Sequence, residues 1–153
     1  MTDFRLYPNT LFGRNRDEPE IWQGYVSADE GTISALTVLT LAETHHIGPT
    51  LDADKDIVFD VTNKEIDLKA GNYYEFDIGM DQAGASSLID IYNVTGTAVL
   101  WTHALQEGFK SVRYRYYATA NISVSLRADD QTANSVLATT GWVHVTRLGR
   151  VKT

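Results

Sequence analysis

From residue 21 onward, apolar and polar positions alternate with a period of two, in short runs rich in Val, Ile, Thr and Tyr that Gly, Asn and Asp clusters interrupt. A strand points successive side chains to opposite faces, so this pattern reads as half-buried strand. Nine runs qualify, at residues 21–27, 32–41, 56–62, 72–80, 87–94, 97–105, 110–118, 121–128 and 141–148. That number of short strands in one chain predicts an all-β fold, an antiparallel β-sandwich in which two sheets bury alternate residues against each other. The helix candidate around His103 to Gly108 is too short to stand alone. The longest irregular loop is expected at 42–55. Tight links at Thr95-Gly96 and Ala120-Asn121 read as hairpin turns, and "KAGN" (69–72) reads as a turn in which Gly71 is free to take positive φ.

The alternation also assigns faces. In "NYYEFDIGM" (72–80), Tyr74, Phe76, Ile78 and Met80 share one face, and Tyr73, Glu75, Asp77 and Gly79 the other. In "SVRYRYYATANISVSLRA" (111–128), Val112, Tyr114, Tyr116 and Ala118 lie opposite Arg113, Arg115 and Tyr117, while Ile122, Val124 and Leu126 lie opposite Ser123, Ser125 and Arg127. The clustered arginines need acidic partners, and Glu75 and Asp77 are the candidates. Arg113, Arg115, Tyr117 and Arg127 are therefore expected at a subunit interface or on a salt-bridged sheet face. In "GWVHVTRLG" (141–149) both faces are semi-apolar, which leaves open whether Val143, Val145 and Arg147 or Trp142, His144, Thr146 and Leu148 point inward.

Residues 1–20 break the pattern. They show no alternation, contain Pro8, Gly13 and Pro19, and carry the isolated large residues Phe4, Leu6, Tyr7, Leu11 and Phe12. An arm with hydrophobes but no core of its own is best explained by a surface on which it lies. The chain then divides into an extended arm (1–20), a sandwich domain (21–148) and a basic tail (149–153).

Composition narrows the partners. At 153 residues with 43% hydrophobic and 22% charged residues, the chain has the size and balance of one globular domain. Its net charge of −7 is unevenly spread: residues 1–16 sum to +2, residues 147–153 to +3, and the stretch between them to −12. An acidic body repels polyanions, which argues against nucleic acid as a partner, whereas basic ends suit an acidic surface. No apolar run approaches the roughly 18 residues of a membrane span, and no signal-peptide pattern opens the chain, so a soluble protein made in a cytoplasm is expected.

Candidate chemistry is sparse. With no cysteine, disulfides and thiolate sites are excluded. His45-His46 would point to opposite sides of an extended segment, His103 and His144 stand singly, and no spacing suggests a metal site or a cofactor. "DADKD" (52–56) spaces acids as a calcium loop does, but Ile57 and Asn63 occupy the positions that need Gly and Glu. No catalytic motif is present, and no enzyme is expected. Asn93-Val-Thr95 and Asn121-Ile-Ser123 match the glycosylation acceptor pattern and read as chance matches without a secretory signal. Trp22, Trp101 and Trp142 lie in predicted strands where core packing is the usual fate, which leaves Tyr73 and Tyr117 as exposed platforms on which a glycan could stack.

A cysteine-free sandwich of short strands behind the arm "MTDFRLYPNTLFGRNRDEPE", closed by "TTGWVHVTRLG" and a basic tail, resembles the small structural proteins of tailed bacteriophages, in particular capsid cement or decoration proteins. The resemblance implies a jelly-roll-like sandwich and a homotrimer on the virion, made in the host cytoplasm, that bridges subunits of the major capsid protein. It implies that Phe4, Tyr7, Leu11 and Phe12 anchor the arm while Arg5, Arg14 and Arg16 pair with acidic groups of the shell. The alternative is a receptor- or glycan-binding head of a tail fibre, or a carbohydrate-binding module.

Overall fold

The structure, a computed structural model, describes residues 19–27, 37–80, 82–83, 86–106, 110–129, 135–136 and 141–150. The arm candidates Phe4, Arg5, Tyr7, Leu11, Phe12, Arg14 and Arg16 lie outside them. Thirteen strands occur among the described residues: β1 (Glu20–Val26), β2 (Thr37–Val38), β3 (Leu41–Ile47), β4 (Ile57–Asp60), β5 (Glu65–Leu68), β6 (Asn72–Met80), β7 (Gln82–Ala83), β8 (Ser86–Asn93), β9 (Ala98–Gln106), β10 (Lys110–Ala118), β11 (Ile122–Asp129), β12 (Ser135–Val136) and β13 (Trp142–Arg150). Eight of the nine expected runs each coincide with one strand; the run at 32–41 does not, since residues 32–36 lie outside the described residues, β2 joins one sheet and Leu41 opens β3 in the other.

Two sheets result, one ordered β10-β6-β13-β1-β3 and the other β4-β5-β11-β8-β9, with β2 added beside β11 and a separate β7-β12 pair. Every pairing is antiparallel. The chain passes repeatedly from one sheet to the other, among other places between β3 and β4, β5 and β6, β6 and β8, β9 and β10, β10 and β11, and β11 and β13, which winds the antiparallel sandwich as a jelly roll.

Between the sheets the alternation does what it predicts. Tyr74, Phe76, Ile78 and Met80 of β6 and Val143 and Val145 of β13 meet Ile66, Leu68, Ile89, Ile91, Val124 and Leu126 of the other sheet, all buried. Each such side chain contributes about 1.5–3 kcal/mol by leaving water. Trp22 is fully buried, packs on Phe59 at 5.1 Å between centroids, and donates its indole N–H to Glu43 at 2.6 Å. Gly24 follows it at a bulge in the β1–β3 ladder, where a Cβ would stand 2.3 Å from the Trp22 ring and 2.6 Å from the Ala42 carbonyl oxygen.

Several expectations are corrected. Residues 42–47, expected as loop, belong to the edge strand β3, which begins at Leu41; only Leu41 of it is buried, so no alternation marks it. Residues 65–68 form a strand too short to stand out. The helix candidate at 103–108 begins as strand, since β9 runs to Gln106. Ala120-Asn121 does not close a hairpin: β10 and β11 lie in different sheets, and residues 119–121 turn the corner between them. Alternation is the same on either side of a hairpin and of such a corner. Thr95-Gly96 does close the β8–β9 hairpin, and Gly71 has φ +82°.

Candidate functional site

The register of β6 and β10 builds one continuous face on the outside of the five-stranded sheet. Arg113 stands opposite Asp77, Arg115 opposite Glu75, and Tyr117 opposite Tyr73. The side chains follow: Arg113 Nε donates to Asp77 at 2.9 Å, Arg115 Nε to Glu75 at 2.7 Å, and the Tyr73 and Tyr117 rings lie 4.8 Å apart at 38°. The acidic partners expected for the two arginines are the ones they have.

Strand β13 extends the face on the other side of β6. Its ambiguity resolves with Val143, Val145 and Arg147 inward, so that Trp142, His144, Thr146 and Leu148 flank the acids outside. The Trp142 indole N–H donates to the second oxygen of Asp77 at 2.9 Å, which holds that carboxylate between Trp142 and Arg113. Beside the tyrosine pair a shallow depression of about 340 Å³ is lined by Tyr73, Arg115, Leu148 and Gly149. Tyr73 is 46% exposed and Leu148 45%. Ion pairs this open contribute about 0–1 kcal/mol in water; covered by a matching surface they set register and specificity.

Arg127 does not join this face. It lies in the other sheet, nearly buried, with its guanidinium 3.6 Å from the Tyr92 ring centre and 3.1 Å from Asp90, whose other oxygen accepts the Thr102 hydroxyl at 2.7 Å. Ser125 and Arg127 share one face of β11 as expected, but the sheet change at residues 119–121 carries that face to the opposite side of the sandwich.

The histidines are dispersed. His45 is exposed, His46 meets Glu20, His103 stacks on Trp101 at 5.3 Å, and His144 lies 6.3 Å from Trp142. Among the described residues no three His, Asp or Glu side chains gather as a metal site would need. The "DADKD" acids also separate: Asp52 pairs with Lys55 at 2.7 Å, which holds its carboxyl below the usual range, while Asp56 is buried.

One polar cluster has no counterpart in the sequence expectations. Glu20, counted with the arm, is the first residue of β1 and is fully buried. Its carboxylate accepts the backbone N–H groups of Asp56 and Ile57 at 2.9 and 3.2 Å and meets His46 Nε2 at 3.0 Å. Arg147, counted with the basic end, is equally buried, its Nε 3.4 Å from the Asp56 carboxylate. The Tyr74 hydroxyl lies 2.8 Å from the Lys69 carbonyl and accepts from Asn72 Nδ2, and burial pushes its pKa well above the ordinary phenol value. This cluster pins β4 to β1 and β13 at one end of the sandwich, a structural role. The only hint in sequence was that Arg147 keeps phase with Val143 and Val145.

The outer face is flat, charge-paired and aromatic, suited to burial against another surface. No protein-family model matches the sequence, and no curated protein matches it at a significant level. Solved structures match its fold. Murine APRIL is 9% identical over 86% of this chain and 100% of that one, with a TM-score of 0.55. The globular domain of zebrafish complement 1qA protein is also 9% identical, covering 86% and 97%, with a TM-score of 0.55. Eiger TNF from S. frugiperda is 12% identical, covering 89% and 97%, with a TM-score of 0.52. The chain thus has the jelly-roll fold of the TNF and C1q globular domains across nearly their whole length.

Proposed function

We propose that this chain is a noncatalytic assembly protein that associates with itself as a homotrimer through the outer face of its five-stranded sheet and serves as a cement or decoration protein on a virion. The face carries this reading: exposed Tyr73 and Leu148 and half-buried Tyr117 supply apolar contact, and the Arg113–Asp77 and Arg115–Glu75 pairs leave that part of the face without net charge. Support for the capsid role comes from the sequence, where a basic arm with apolar anchors precedes an acidic body, so that the arm pairs with the major capsid protein and the body keeps particles apart. Several arms per oligomer would multiply a weak contact into a firm one.

The test is retention on purified phage shells. Truncation must stop at Glu18, because Glu20 is a buried part of the sandwich. Loss of retention in a chain lacking residues 1–18, with its oligomer intact, is the expected result; unchanged retention would overturn the cement role.

A further inference from the structure

On the sheet opposite the proposed interface, a groove of about 520 Å³ opens where β5 ends and β11 begins. Its apolar part is Val58, backed by the core residues Leu68 and Ile122, and its polar part is made by Asp52, Asp56, Asp67, Lys69, Thr95, Asn121 and Ser123. The size falls within the roughly 300–1,000 Å³ of small-molecule sites. The polar groups are the informative part, because each is fixed through one atom and presents another. Asp67 accepts the Ser123 hydroxyl on Oδ1 at 2.5 Å, which leaves Oδ2. Asn121 accepts the Ala70 N–H on Oδ1 at 2.9 Å, which leaves its amide N–H₂ to donate. Thr95 Oγ1 accepts the Ser123 N–H at 2.9 Å and keeps its own O–H. Lys69 donates to the Ala53 carbonyl at 2.9 Å and has two further protons. Asp52 is tied to Lys55 through Oδ1, and that ammonium keeps it ionised.

The charges decide what class of ligand fits. Asp52 is paired with Lys55 and Asp56 with Arg147, and Lys69 lines the groove along with Asp67, so the groove offers little net attraction to a free cation or a phosphate. It offers carboxylate acceptors beside amide, hydroxyl and ammonium donors, next to the half-buried Val58. A vicinal diol is the complementary group, since each hydroxyl can both donate and accept, and the C–H face of a sugar ring can rest on Val58.

We propose that this groove is a binding site for a neutral sugar. It lies on the sheet away from the Tyr73 and Tyr117 face, so it stays open in an oligomer formed through that face, and it stands whether or not the chain sits on a shell. The experiment is a titration of the ¹⁵N-labelled full chain with four methyl glycosides, those of glucose, galactose, mannose and N-acetylglucosamine, followed through backbone amide shifts. Saturable shifts at Lys69, Thr95, Gly96, Asn121 and Ser123 with at least one glycoside are expected. Asp67→Asn, at an exposed position, should weaken that binding at least tenfold while leaving the spectrum elsewhere unchanged, and Thr95→Val should weaken it less. Three outcomes would overturn the proposal: no saturable shift with any of the four, shifts confined to the Tyr73 and Tyr117 face, or the same amides responding to calcium chloride alone.

Discussion

Glu20 and Arg147 show how far a single side chain can depart from the character of its surroundings in sequence. Each belongs to a charged stretch at one end of the chain, yet each faces the core, where desolvation costs several kcal/mol per ion unless partners compensate. Glu20 is compensated by two amides and His46, and Arg147 has Asp56. Removing one partner should therefore cost more than an ordinary core truncation: Glu20→Ala is expected to lower the unfolding free energy by about 3–5 kcal/mol in urea, and a loss below about 1 kcal/mol would show that the cluster is not a structural clamp. Neighbouring Tyr74 gives a pH dependence. Its native pKa is raised above the unfolded value of 10.0 by burial first of all. Above pH 10 the unfolded chain loses a proton that the native chain keeps, so stability falls as pH rises from there toward the native pKa. Tyr114, raised for the same reason, adds to the same slope. Tyr74→Phe should flatten that alkaline decline while costing about 1–2 kcal/mol at neutral pH for its lost hydrogen bonds; an unchanged slope would exclude Tyr74 as its source.

Strands were legible where a buried and a wet face alternate over a long enough run, as in β6 and β10, whose bounds agree with the alternation at both ends. They were illegible where the run is short, as in β5, or where that contrast fades. Strand β3 is an exposed edge, so its residues read as loop, and the corner at 119–121 is chemically a turn whose sheet crossing depends on long-range packing. The pairing of Arg113 and Arg115 with Asp77 and Glu75 followed from face assignment; the separation of Arg127 from them did not, because it requires knowing the sheet. Strand β1 illustrates a constraint set by backbone proximity. Gly24→Ala would place a methyl group against the buried Trp22 ring and the Ala42 carbonyl, neither of which can yield easily, and should cost about 1–3 kcal/mol. Thermal unfolding by near-ultraviolet circular dichroism would read both the loss and the changed environment of Trp22; an unshifted melting temperature would mean the β1–β3 bulge relaxes freely.

At the scale of the whole molecule, the two sides of the sandwich differ in what they offer. The five-stranded sheet presents a neutralised, aromatic face, and the six-stranded sheet presents a polar groove at one end and the buried Arg127–Asp90 pair. The first suits contact with another copy and the second contact with a small ligand, so assembly and binding would not compete. That division was beyond reach of the alternation, which assigns residues to faces but not faces to sides of the molecule. Arg113→Glu together with Arg115→Glu would set four acids along β6 and β10 and should break the oligomer without unfolding the chain. The most direct test of the account is the native mass of the unmodified chain in solution at micromolar concentration. The proposed assembly requires three times the 17.0 kDa chain mass, and a mass of 17.0 kDa that persists as concentration is raised would contradict it.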